Sequence, residues 1–238
     1  MTAFSPSRPS PGAEPEPDPA RSKPKKKTKN TADLPLRQGA ATREEILEVA
    51  TQEFAQHGLS GARMDRIAQK IAASKRMIYY YFKSKDALYQ AVLEKSYRDI
   101  RDHDANIDFA ALDPVEAIRA IIEATLDHEF SHPEFIRLVI NENILRARFL
   151  SKLPDMRRSN RIIIKRLESI LERGQKAGLF RKDIDAIELH MVISAMCVFK
   201  IANRHTFKAL FGRDMASPKL RRRIKDVISD AVIRLISI

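Results

Sequence analysis

Very little in this chain can cross-link it or carry it through a bilayer. It holds one cysteine in 238 residues, Cys197, so no intramolecular disulfide can form. The neighbours Met196, Val198 and Phe199 are apolar, which marks Cys197 as a buried packing thiol and fits a reducing cytoplasm. The N-terminus lacks the apolar core of a signal peptide. The most apolar stretch, 191–199, is about half the ~20 residues that a membrane helix needs. A soluble, cytoplasmic protein with no membrane partner is therefore expected. Only seven glycines and no alternating β-branched runs argue against an all-β fold. There is no glycine-rich phosphate loop, no nucleophile elbow and no cysteine cluster, so neither a cofactor nor a catalytic residue is expected.

What the chain does have is positive charge. Lys and Arg number 43 against 31 Asp and Glu, a formal net charge of +12, and this favours a polyanionic partner, either nucleic acid or an anionic surface. A merely solvated basic surface is the alternative. Residues 1–38 stand apart: they hold eight of the twelve prolines and few large apolar residues, so they cannot bury enough surface to order themselves. They read as a disordered arm, with a basic run at 21–29 that suits phosphate or simply faces solvent.

After Gly39 the pattern is helical. Thr42-Arg-Glu-Glu45 is a capping box, and Ile46, Leu47, Ala50 and Phe54 follow at helical spacing. Gly58 suits a left-handed helix end. A second helix is expected over 64–71, with Ile67, Ala68 and Ile71 inward. Ser74 caps a third over 75–81, and Ser84 caps a fourth that runs past Tyr97. Asp113-Pro114-Val115-Glu116 opens a fifth, and Ser131-His132-Pro133-Glu134 reads as a capping box for a sixth. Three more are expected over 154–177, 184–208 and 218–236. The expected fold is all-α with nine helices and no strand.

Three short helices joined by tight turns, with basic residues on the third, read as a helix-turn-helix. Such a helix must fit the major groove while its flanks contact phosphate. Three consecutive tyrosines, Tyr79-Tyr80-Tyr81, cannot all face one core, and Ile78 and Phe82 already supply a buried stripe. At least one tyrosine must therefore point outward. Arg76, in the first turn, can pair with guanine in two hydrogen bonds, and Tyr79 can touch a thymine methyl group. Ser84 and Lys85 open the fourth helix, where backbone amides favour phosphate.

Across 42–86 the residues His57-Gly58-Leu59, Ile67-Ala68 and Ser74-Lys75-Arg76-Met77-Ile78-Tyr79-Tyr80-Tyr81-Phe82-Lys83-Ser84-Lys85-Asp86-Ala87-Leu88 resemble the DNA-binding signature of the TetR family. The resemblance implies a helix-turn-helix domain over 39–86 and a ligand-binding and dimerisation domain over 87–238. It implies Lys75, Tyr79, Tyr80, Tyr81 and Lys85 at phosphate and sugar, and Arg76 and Met77 at base edges. Thr42, Arg63, Ser74, Lys83 and Ser84 complete the candidate DNA-binding set. Two positions depart from the family. Ala72 stands where many relatives have Gly in the turn, and Arg63 stands where many have a hydroxyl cap, exchanging that cap for a side chain able to reach phosphate.

His128-Glu129-Phe130-Ser131-His132 matches the H-E-x-x-H zinc pattern, which requires both histidines on one face of a continuous helix. Pro133 biases His132 away from helical geometry, and no third ligand follows at a familiar spacing. No metal site is expected, and a zinc hydrolase stays only as a contrasting alternative.

In the C-terminal part, Ile224, Val227, Ile228, Ala231, Val232 and Leu235 form one apolar stripe and Ile187, Met191, Ser194, Ala195 and Val198 another. The resemblance implies that these two helices pair with a second copy, so that two recognition helices read a palindromic operator. An internal core stripe in a monomer is the alternative. Polar residues set among apolar runs, His128, Asn141, Asn143, Arg146, His190 and Asn203, are candidate contacts for a small-molecule effector. The stretch 135–143, with Phe180-Arg181 and 203–212, is similar to a TetR branch that includes regulators of aromatic-acid catabolism, such as the repressor of nicotinate degradation. That likeness implies an aromatic acid as effector, with Arg146 or a histidine on its carboxylate. A repressor released by its effector is the expected function; a ligand-independent, sequence-specific DNA-binding protein is the alternative.

Overall fold

Thr42 starts the first helix as its spacing predicts. Its hydroxyl accepts from the Glu45 N–H at 3.2 Å, and the Glu45 carboxylate accepts from the Thr42 N–H at 2.7 Å. The computed structural model describes residues 42–105 and 107–238. The arm expected at 1–38 lies outside the described residues. Ten α-helices follow one another: α1 Arg43–Gly61, α2 Met64–Lys70, α3 Lys75–Phe82, α4 Lys85–Ala105, α5 Pro114–Ser131, α6 Pro133–Ile144, α7 Pro154–Lys176, α8 Ala186–Ala202, α9 Arg204–Phe211 and α10 Pro218–Ile236. A single 3-10 turn, Leu150–Lys152, joins α6 to α7. Among the described residues there is no strand, only one isolated bridge between Phe180 and Ser237.

Local chemistry explains most helix starts. Asp113 accepts from the Val115 and Glu116 N–H groups, and Pro114 follows at the first helical position. Asp185 and Glu188 form a second capping box at α8. Gly58 kinks α1 with φ +66° and ψ 175°: φ is positive as expected, but ψ takes the residue out of the left-handed helical region into one open essentially to glycine, and one further turn continues to Gly61. Two expectations require correction. Ser131 does not cap α6; it is the last residue of α5, and His132 (φ −125°, ψ 61°) serves as the boundary of both helices because Pro133 forbids a continuous turn. The single helix expected over 184–208 is two, so the described residues hold ten helices rather than nine. The break falls at Asn203, whose side chain donates to the Phe199 carbonyl at 3.1 Å, competing locally with the helical ladder, and α9 departs from α8 at 65°. Among the described residues no single helix is long and apolar enough to cross a membrane.

Two cores organise the chain. The first gathers Ile46, Ala50 and Phe54 of α1, Ile67 of α2, Ile78 and Phe82 of α3 and Tyr89 and Val92 of α4. It also contains Leu138 of α6, with Phe149, Leu153 and Met156 beyond it. Tyr89 stacks edge-on between Phe54 at 5.0 Å and Phe149 at 5.2 Å. The first core therefore runs past residue 86 into the C-terminal part. The second core packs α5, α7, α8 and α10 around Ile118, Ile122, Leu167, Phe180, Leu189, Cys197 and Val232. Gly174 is required there: a Cβ would meet the Phe180 ring at 2.0 Å.

Candidate nucleic-acid interface

The α3 helix is built to show one face and hide the other. The Ser74 hydroxyl accepts from the Met77 N–H at 3.3 Å and sets the start. Ile78 and Phe82 are buried in the first core, and the Arg43 guanidinium lies 5.2 Å over the Phe82 ring. Lys75, Arg76, Tyr79 and Tyr80 are exposed, with Tyr80 at 63%. Met77 is half-buried, and Tyr81 is half-buried against the core, edge-on to Tyr80 at 5.5 Å. Lys83 ends α3 at φ +62° with its side chain exposed. Ser84 caps α4 through the Ala87 N–H at 3.0 Å, and Lys85, half-buried, reaches the Ser60 carbonyl at 3.4 Å. Thr42 and Arg63 are exposed. The result is an outward, basic, tyrosine-bearing face of α3 followed at once by the capped N-terminus of α4, suited to base edges in its first turn and to phosphate beside it.

Electrostatics tune this surface. Lys75 pairs with Asp65 at 2.5 Å, and that hydrogen bond holds the Asp65 carboxyl below its ordinary range. The turn from α2 to α3 places Ala72 at φ +50°, a left-handed conformation that costs a residue with a Cβ about 1–2 kcal/mol. The departure from the family's Gly is thus a strained one.

One residue that organises the site escaped the sequence reading. Glu53 is wholly buried and accepts from the Arg63 N–H at 2.9 Å and from Arg66 Nε at 2.7 Å; Lys70 and His57 stand 3.9 Å away. Burial works to raise its carboxyl, but the two donors outweigh it and the net shift is downward. Glu53 thereby locks the start of α2 against α1. Its position on the inward side of α1, one residue before Phe54, was the available signal.

The six candidate ligand contacts do not converge. Asn141 donates to the Phe54 carbonyl at 3.1 Å and Asn143 to the Val139 carbonyl at 2.9 Å. Arg146 is exposed at φ +56° beyond the end of α6. His190 is half-buried, its pKa lowered by burial, and Asn203 is spent on the α8 break. Of the six, His128 lines a cavity on the described residues. That cavity, of about 200 Å³, lies between α1, α4 and the α5–α6 junction and is lined in part by Glu48, Ser96, Asp99, His128, His132 and Phe135.

The two histidines of the H-E-x-x-H pattern stack at 4.8 Å across the α5–α6 boundary, off any common helix face. Glu129 points the other way, into the second core, where it faces Lys200 at 3.7 Å. Burial drives its carboxyl up to about 7, against the pull of Lys200, and drives the Lys200 ammonium down. The Lys200 ammonium also donates to the Cys197 carbonyl at 2.6 Å. Burial pushes the Cys197 thiol up to about 12, which makes it a packing group. Among the described residues no three His, Cys, Asp or Glu side chains are arranged to hold a metal.

On α8 the exposed stripe is Ile187, Met191 and Ala195, with Phe199 one turn on, a residue absent from the expected set; Ser194 and Val198 are half-buried beside it. On α10 it is Val227, Ala231 and Leu235, with Ile224 half-buried. Ile228 and Val232 are corrections: at 6% and 0% exposed they lie with Ile236 in the second core, because one residue along a helix turns the side chain by about 100°.

Comparison with known proteins places these elements. Residues 46–92 match the family model described as bacterial regulatory proteins, tetR family, and residues 114–232 match that of the tetracyclin repressor-like C-terminal domain. The chain is similar to the HTH-type transcriptional repressor NicS of Pseudomonas putida, 32% identical over 198 residues that span 83% of this chain and 93% of that protein. It is similar to the HTH-type transcriptional repressor SCO4008 of Streptomyces coelicolor, 31% identical over 79% of this chain and 94% of that one. Among solved structures, the transcriptional regulator SCO4942 of Streptomyces coelicolor superposes with a TM-score of 0.62 at 25% identity, over 82% of this chain and 98% of its own.

Proposed function

This chain belongs to the TetR family of transcriptional regulators, and from that membership we propose that it acts as a repressor dimer that leaves its operator when a small molecule binds. It is a DNA-binding regulator and not an enzyme. The observation that carries the DNA-binding reading is the α3 surface, Lys75, Arg76, Tyr79 and Tyr80 outward on a helix whose inner face is locked by Ile78 and Phe82; repression is supported by the likeness to two repressors. In this reading Arg76 and Met77 read base edges while the tyrosines, Lys83, Ser84 and Lys85 hold phosphate and sugar.

Pairing follows from the exposed apolar stripes. Ile187 and Met191 on α8 and Val227 on α10 are each more than half exposed on adjacent helices, a surface that a soluble chain covers with a second copy. A twofold dimer then presents two α3 helices to half-sites about one DNA turn apart. The cavity at the α5–α6 junction favours effector control over ligand-independent binding, because its walls come from both the DNA-reading helices and the body. We place the protein in the cytoplasm, where its operator would be.

The test is binding to the DNA flanking its own coding region. A gel-shift titration with increasing salt should show a discrete complex at a palindrome, resistant to scrambled competitor. Equal affinity for the palindrome and scrambled duplex at every salt concentration would overturn the reading.

A further inference from the structure

We propose that the cavity between α1, α4 and the α5–α6 junction binds a small single-ring organic cation. The site deepens the effector reading, on which its regulatory consequence rests. Its size comes first. About 200 Å³ is below the ~300 Å³ at which drug-sized pockets begin, so it suits one ring and a short arm.

Its walls define the chemistry. One side is aromatic: His128 and His132 stack at 4.8 Å, and Phe135 stands edge-on to His128 at 5.9 Å. Phe135 is itself fixed edge-on by Tyr97 at 5.1 Å, which holds that wall in place. A flat ring sliding against these faces gains contact area, and a cation over the Phe135 face is attracted by its ring electrons. The remaining walls carry formal negative charge. Glu48, Asp99 and Glu134 contribute three carboxylates against one ammonium, Lys95. That ammonium is already committed, at 2.7 Å to Asp99 and 3.3 Å to Glu44. Glu134 faces His132 Nδ1 at 3.1 Å, and Glu48 forms no ion pair among the described residues. The charge left over is therefore negative, held chiefly by Glu48 with Glu134 behind it. An anionic ligand would find no uncommitted lysine or arginine on these walls; a protonated amine would meet carboxylate at one end and rings at the other.

The position makes such a ligand consequential. Glu48, Thr51 and Gln52 lie on α1, and Lys95, Ser96 and Asp99 on α4, whose N-terminus beside Lys85 flanks α3. The opposing wall belongs to α5 and α6. A molecule gripping both sides favours one setting of α1 and α4 against the body.

The experiment is isothermal titration of the full, DNA-free chain with three size-matched probes: benzylamine, benzyl alcohol and benzoate. Benzylamine should bind at least ~10-fold more tightly than the other two. The double variant Glu48→Gln, Glu134→Gln, which alters exposed or partly exposed side chains, should keep the wild-type unfolding midpoint and abolish that preference. Benzoate binding as well as benzylamine, a preference that survives the double variant, or no heat from any probe up to ~10 mM would each overturn the proposal. Because the titration contains no DNA, failure to bind an operator counts against the repressor reading and leaves the pocket result intact.

Discussion

Asn141 on α6 donates its side-chain amide to the backbone carbonyl of Phe54 on α1 at 3.1 Å, while its Oδ1 sits 3.6 Å from where a Cβ on Gly58 would lie. The bond joins the body to the last turn before the α1 kink. Asn141→Ala should lower stability by about 1 kcal/mol in urea denaturation. DNA affinity of the folded variant should change less than its release by the proposed effector, since the lost contact lies between the body and α1. Unchanged stability would show that water replaces the amide at no cost.

Glu53 sets an acid limit. Its carboxyl is lower in the folded chain than the ordinary 4.5. A depressed carboxyl contributes stability that is complete above about 4.5 and fades as pH falls through the folded value. Glu53→Gln should cost about 1.5–3 kcal/mol at neutral pH, where two donors lose their charged acceptor, and lose less on further acidification to about pH 3.5. Parallel pH curves for the two proteins would remove Glu53 from that role.

Arg76 and Lys85 should separate on DNA. Arg76→Ala should cost about 1–3 kcal/mol on the operator and relax selectivity at one base pair per half-site. Lys85→Ala should weaken all duplexes alike and reduce the salt slope by about one. Competition gel shifts with single-base operator variants distinguish the two patterns.

The stripes on α8 and α10 predict that a charge placed there splits the proposed dimer. Met191→Glu puts a carboxylate in the middle of the exposed face without touching the second core. Sedimentation should then show monomers with an unchanged helical spectrum. Ile228→Ala should instead destabilise the fold by about 2–5 kcal/mol, because that side chain is internal.

Glu129 and Lys200 form a pair whose burial opposes both charges. Lys200→Met alone should destabilise by about 3–5 kcal/mol, whereas Glu129→Gln with Lys200→Met should be near neutral. The pH signature has the opposite sign to that of Glu53. The Glu129 carboxyl is raised to about 7, so its contribution is greatest below about 4.5 and is lost as pH rises through 7. Glu129→Gln should flatten thermal stability across that window.

The features legible in the sequence were those decided within a few residues. Thr42, Ser74, Ser84 and Asp113 cap the helices they precede, and Pro114, Pro133, Pro154 and Pro218 each open one. Inward Ile78 and Phe82 against outward Tyr79 and Tyr80 follow from period alone. Features set by distant partners were not legible. The face of α10 that turns inward depends on where α5 and α8 lie, so nothing local separates Ile228 and Val232 from the outward stripe. The Asn203 break looks, residue by residue, like a helix that continues. The cavity draws its walls from four helices up to 87 positions apart, so isolated polar residues such as Asn143 and Asn203 gave no guide to it.

Because Leu138, Phe149, Leu153 and Met156 complete the first core, the DNA reader is not a detachable part. A chimera that splices this reader onto another regulator at residue 86 would part Phe54 from Tyr89 and strip the first core of the α4 and Leu138–Met156 side chains that complete it. Exchange of specificities between such proteins therefore requires transplanting a composite unit: the first four helices together with the stretch from Leu138 to Met156 that seals them.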